Sequence, residues 1–120
     1  MAAAAATAVL IASGVALRYD DGVMRQVVAN RVEWGHLPSG TNPDRCVALL
    51  TCDRLGDTVW LEAGLRLVPV TVCDCAARPH RAGLQRRGWA VDVAYGLREL
   101  LPANVKVWDS YPHWRGLQML

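Results

Sequence analysis
Between Val68 and Leu101 the hydrophobic period runs from strand to basic loop to strand to helix, and few small folds accommodate that order. Val70, Val72 and Asp74 alternate with Thr71, Cys73 and Cys75, which predicts a two-faced strand ending in an acidic turn. A basic loop with Arg78, His80, Arg81, Arg86 and Arg87 follows. Trp89, Val91 and Val93 then alternate with Ala90, Asp92 and Ala94, a second strand. Beyond it Leu97, Leu100 and Leu101 fall at helical spacing. Asp92 therefore closes an apolar strand just before a short helix, where a carboxylate is costly to bury without partners.

The rest of the chain supplies material for one such domain. At 120 residues a second independent core is not expected, and 52% hydrophobic content argues against disorder. Thirteen Lys and Arg against eleven Asp and Glu leave a net charge of +2, too near balance to predict a nucleic-acid partner. The apolar run of residues 2–17 is shorter than the roughly 20 residues of a membrane helix, so no membrane span is expected. Its small residues suit a secretion signal, but no Lys or Arg precedes them; the alternative is a leader followed by a strand over Val15 to Tyr19. No phosphate-binding Gly-rich loop, zinc-protease motif or serine-hydrolase elbow occurs, and no cofactor is expected. Five Trp and three Tyr without a single Phe suit a sugar-facing surface, although Trp also fills small β cores.

Local signals place the other elements. Asp20-Asp21-Gly22 is a turn from which Asp21 is placed to cap a helix over Gly22 to Trp34, with Asn30 and Arg31 read as its solvated end. A strand is expected over Cys46 to Cys52, a hairpin at Ala63-Gly64-Leu65-Arg66, an edge or bulge at Pro69, and a last strand over Val105 to Trp108. Cys46 and Cys52 share one face by parity, as do Cys73 and Cys75, so two neighbouring strands allow two cross-links. On an antiparallel reading the favoured pairs are Cys52 with Cys75 and Cys46 with Cys73. Buried free thiols and a zinc site of four thiolates, or three with His80, stay open. The missing Cys-x2-Cys knuckle opposes zinc, and no metal is assigned.

Two of these segments, Val70-Thr71-Val72-Cys73-Asp74 and Gly88-Trp89-Ala90-Val91-Asp92-Val93-Ala94-Tyr95, resemble the double-psi β-barrel domain of the rare lipoprotein A family, related to expansins and barwin-like proteins. Leu55-Gly56-Asp57-Thr58-Val59-Trp60-Leu61 is similar to its Gly-Thr strand, and Gly14-Val15-Ala16-Leu17-Arg18-Tyr19 to its opening strand. The resemblance implies a mainly β fold, a six-stranded double-psi barrel with one or two short helices over residues 14–108. It leaves residues 1–13 as a leader or signal segment and 109–120 as a tail. It also implies a secreted or cell-envelope barrel that binds a glycan strand or cell-wall polysaccharide, peptidoglycan in particular, with lytic transglycosylase-like activity. Asp92 would then be the general acid and Asp74 a second catalytic carboxylate. Arg78, His80, Arg81 and Tyr95 are the candidate substrate contacts, with a merely solvated basic loop as the alternative. A monomer is expected. The rival function is a non-catalytic structural or protein-interaction barrel.

Overall fold
The computed structural model describes residues 7–113 and the backbone of 118–119; the rest of the expected leader and tail lies outside the described residues. In chain order the elements are β1 (Leu10–Arg18), α1 (Val23–Glu33), β2 (Cys46–Leu49), β3 (Thr58–Ala63), β4 (Arg66–Cys75), α2 (Arg78–Arg86), β5 (Trp89–Val93), β6 (Asn104–Trp108) and β7 (Gln118–Met119). Short 3₁₀ turns cover Pro43–Arg45 and Tyr95–Leu100. The fold is mainly β. Six strands form a closed mixed barrel in the cyclic order β1, β6, β3, β4, β2, β5, and β7 adds to β4 in parallel at Arg66 and Leu67. Closure comes from pairing β2 with β4 over Thr71 to Cys75. Within the barrel the pairs β1/β5 and β2/β4 are parallel and the other four are antiparallel. No helix among the described residues is long and apolar enough to cross a membrane.

Valine dominates the interior because its branched Cβ suits a pleated, fully covered strand. Val47, Val59, Val68, Val70, Val72, Val91, Val93, Val105 and Val107 fill the barrel with Leu49, Leu61 and Leu97. A smaller cluster lies outside the wall, where Met24, Val28 and Leu37 pack on Cys46, Cys73 and Ala94. There α1 lies on the barrel, and a disulfide between Cys46 and Cys73 runs through the contact. The second disulfide joins Cys52 to Cys75. These are the pairs favoured from the sequence, but the reason differs. β2 and β4 run parallel, so the lower-numbered cysteine of each segment meets the lower-numbered one of the other. β2 also stops at Leu49, which places Cys52 in an exposed turn rather than on the strand.

Other local expectations are corrected too. The basic stretch is a helix, α2, not a loop. Pro79 is tolerated because the first-turn N–H groups have no intrahelical partner. Asp21 does not cap α1; Gly22 does, with a left-handed φ of 82°, and no side chain bonds the free N–H groups. β1 begins at Leu10, and Leu10 to Val15 pair with β6, so strand hydrogen bonding starts inside the stretch assigned to the leader. Pro69 sits within β4 opposite Trp60. The edge expected there is present: among the described residues the other side of β4 is unpaired between Leu67, which meets β7, and Thr71, which meets β2, so a missing N–H breaks no ladder.

Candidate functional site
Ala48 on β2 pairs with Asp74 of β4 on one side and Asp92 of β5 on the other. With neighbouring strands about 4.8 Å apart, the two aspartate Cα atoms lie roughly 10 Å from one another across a floor one methyl high. The end of β1 joins them, because the Tyr19 amide donates to the Val93 carbonyl at 2.8 Å. Barrel closure thus brings Tyr19, Asp74 and Asp92 together from three strands.

The two carboxylates have different surroundings. Asp74 accepts from the Tyr19 hydroxyl at 2.5 Å and from Arg31 Nη2 of α1 at 2.6 Å, so each of its oxygens is held. Arg31 also meets His36 Nδ1 at 3.1 Å. Its guanidinium is therefore not the solvated helix end expected; only 16% of the side chain is exposed, against 18% for Asp74. Burial, then the hydrogen bond and charge of Asp74, keep the Tyr19 hydroxyl protonated far above the ordinary phenol range.

Asp92 faces an open cleft of about 240 Å³ lined also by Tyr19, Ala48, Cys75, His80, Leu84 and Trp89. Trp89 Nε1 donates to Asp92 Oδ1 at 2.7 Å. Burial pushes the Asp92 carboxyl above its ordinary value, opposed by the indole hydrogen bond and aided by the negative charge of Asp74. Strict alternation would put Trp89 and Asp92 on opposite faces. The parallel ladder explains why they meet: β5 advances from Trp89 to Val91 while β1 advances only from Val15 to Ala16. The extra residue is a bulge that turns the indole toward the carboxylate.

Of the residues singled out in the sequence, Asp92 and His80 line the cleft. Asp74 stands behind Tyr19. Arg81 is turned away, donating to the Ala76 carbonyl at 3.2 Å and toward Cys52 Sγ at 3.6 Å. Arg78 is exposed at the start of α2 and does not line the cleft. Tyr95 lies under the Arg98 guanidinium, 3.9 Å from its ring centre, and lines a separate depression with Asp20, Asp21 and Asp44. Sequence reasoning missed Tyr19, Leu84 and Trp89 as cleft residues. Only the position of Tyr19 at the end of its strand hinted at a role. Among the described residues no cluster of His, Cys, Asp or Glu is arranged to hold a metal ion.

The Arg31–Asp74–Tyr19 chain carries a stability prediction. Asp74→Ala leaves a largely buried guanidinium and a phenol without their acceptor, and should cost about 2–3 kcal/mol, roughly 10 °C in Tm. Tyr19→Phe removes one hydrogen bond and should cost about 1 kcal/mol. Denaturant unfolding of both variants and their double mutant checks this; strictly additive losses would mean the three groups do not act as a unit.

No known family model, no curated protein and no solved structure matches this chain.

Proposed function
We propose that the cleft between β5, α2 and the end of β1 binds a polysaccharide strand of the cell envelope, and that Asp92 serves there as a general acid of lytic transglycosylase type. The single observation that carries this reading is a carboxyl raised above its ordinary value at the wall of an open cleft, oriented by an indole N–H. Such an acid keeps its proton to a higher pH and can deliver it to the leaving glycosidic oxygen. A hydroxyl of the same sugar then attacks the anomeric carbon, gives its proton to the Asp92 carboxylate, and closes an anhydro ring without water. Tyr19, a protonated phenol beside the cleft, and His80 on its rim supply hydrogen-bonding groups for sugar hydroxyls, and Leu84 and Trp89 supply apolar surface. Asp74 takes the role of a charge behind the wall, not of a second carboxylate in contact with sugar. The closed six-stranded barrel with two parallel pairs supports the resemblance to double-psi barrels, and two disulfides support an oxidising, extracellular location.

A second reading, a non-catalytic interaction barrel, is favoured by one observation: both Asp74 oxygens are committed to bracing contacts. Retention on purified cell walls separates the two. The native protein should be retained, and His80→Ala, an exposed change that spares the core, should weaken retention about fivefold, the worth of one hydrogen bond. A folded native protein that washes through would overturn the glycan reading.

A further inference from the structure
The two disulfides close segments of similar length, 27 and 23 residues apart in sequence, so loop-closure entropy hardly distinguishes them. Their surroundings do. Cys46 and Cys73 are both 0% exposed beneath α1, where no reductant reaches the sulfurs. Cys52 is exposed in the turn after β2, and Cys75 is partly exposed at the cleft wall. Each sulfur of this second bond also has a guanidinium beside it: Arg81 Nη2 lies 3.6 Å from Cys52 Sγ and Arg31 Nη2 lies 3.8 Å from Cys75 Sγ. Neighbouring cations favour the thiolate over the thiol, and a better-stabilised thiolate is a better leaving group.

From this arrangement we infer that Cys52–Cys75 is a thiol–disulfide exchange site, open to a dithiol reductant, while Cys46–Cys73 is a permanent structural bond. The thiolate of the dithiol attacks the accessible Cys52 sulfur. The Cys52–Cys75 bond breaks as the mixed disulfide forms, and the electron pair leaves with Cys75 as a thiolate beside Arg31. The second thiol of the reductant, as its thiolate, then attacks its own sulfur in the mixed disulfide and expels the Cys52 thiolate beside Arg81. Two electrons have passed to the protein, and the reductant leaves as its own disulfide. The reverse sequence, with an oxidised dithiol, restores the bond. Reduction has a local consequence, because the freed Cys75 thiolate competes with Asp74 for Arg31, the guanidinium that holds the back of the cleft. The exchange site stands whatever the cleft binds.

Native oxidised protein exposed at neutral pH to dithiothreitol, quenched at intervals by an alkylating agent and mapped by peptide mass, tests the inference. Cys52 and Cys75 should be labelled at least tenfold faster than Cys46 and Cys73, and in denaturant the difference should collapse, showing that it belongs to the fold. Arg81→Gln should slow release of Cys52 from its mixed disulfide with dithiothreitol about threefold, read as a longer-lived protein–dithiothreitol adduct by intact mass, because the thiolate expelled in the second step loses its neighbouring cation. Simultaneous labelling of all four cysteines in the folded protein, or faster labelling of Cys46 and Cys73, would overturn the site. An unchanged adduct lifetime in Arg81→Gln would overturn the part assigned to the guanidinium.

Discussion

Replacing Gly14 with alanine is expected to cost about 3–5 kcal/mol and to leave little folded protein at 37 °C. Gly14 has a φ of 143°, and an added Cβ would stand 2.1 Å from the Gly88 carbonyl oxygen. That oxygen is fixed, since it accepts the Val15 amide at 2.7 Å in the approach of β1 to β5. A clash with a flexible side chain would relax by rotation. A clash with a paired backbone carbonyl relaxes only by separating the strands that close the barrel and carry Asp92. Gly64→Ala is the control for a positive φ without a clash: at 64° it sits in the left-handed region that an alanine enters at modest cost, and nothing lies within 4 Å of the added methyl, so about 1 kcal/mol should be lost. Denaturant midpoints of the two variants decide. Equal losses would mean that contact between β1 and β5 plays no part.

Asp92→Asn should lower release of anhydro-sugar products from cell-wall material by about 10²- to 10⁴-fold, the usual contribution of a general acid, while leaving retention on the wall intact. An asparagine oxygen can still accept from Trp89 Nε1, so the side chain should keep its place. Product release equal to that of the native protein would reject Asp92 as the acid. The same substitution has a stability signature of known sign. Burial raises the folded-state value of Asp92 above that of the unfolded chain, so the folded state holds more protons between the two values. Native stability contributed by this group is therefore full below the ordinary carboxylate value and falls as pH rises through the raised one. Asp92→Asn removes that fall: its Tm relative to the native protein should climb across this acidic window and level off above it. Product release by the native protein should decline over the same window as the acid loses its proton. A Tm difference independent of pH would mean that Asp92 ionises alike in both states.

The architecture was readable in the sequence to the extent that it rests on local pattern. The alternation of Val70 and Val72, and of Val91 and Val93, specifies strands because each faces a covered interior, and both lie in the barrel core. The Gly64 turn follows from neighbouring residues alone. Reading failed where geometry between distant segments took over. Alternation alone puts Trp89 on the face opposite Asp92, because a bulge is set by the partner strand and not by the residues that carry it. Arg31 looked like a solvated helix end because its acceptor, Asp74, is 43 residues away. No apolar stripe marks the segment after Ala77 as helical, because none of the α2 side chains is buried.

What the chain determined by itself was a covered β domain with an aspartate at the end of each of two apolar strands, and cysteines spaced for two cross-links. Side-chain period and residue type are properties of neighbours along the backbone, and they survive in the sequence. Only tertiary structure decided that β2 would lie between those aspartates, that Asp74 would be consumed by Arg31 and Tyr19 while Asp92 met the cleft, and that one disulfide would be sealed and the other reachable. Those outcomes depend on barrel closure, which sets distances between segments that no local pattern encodes.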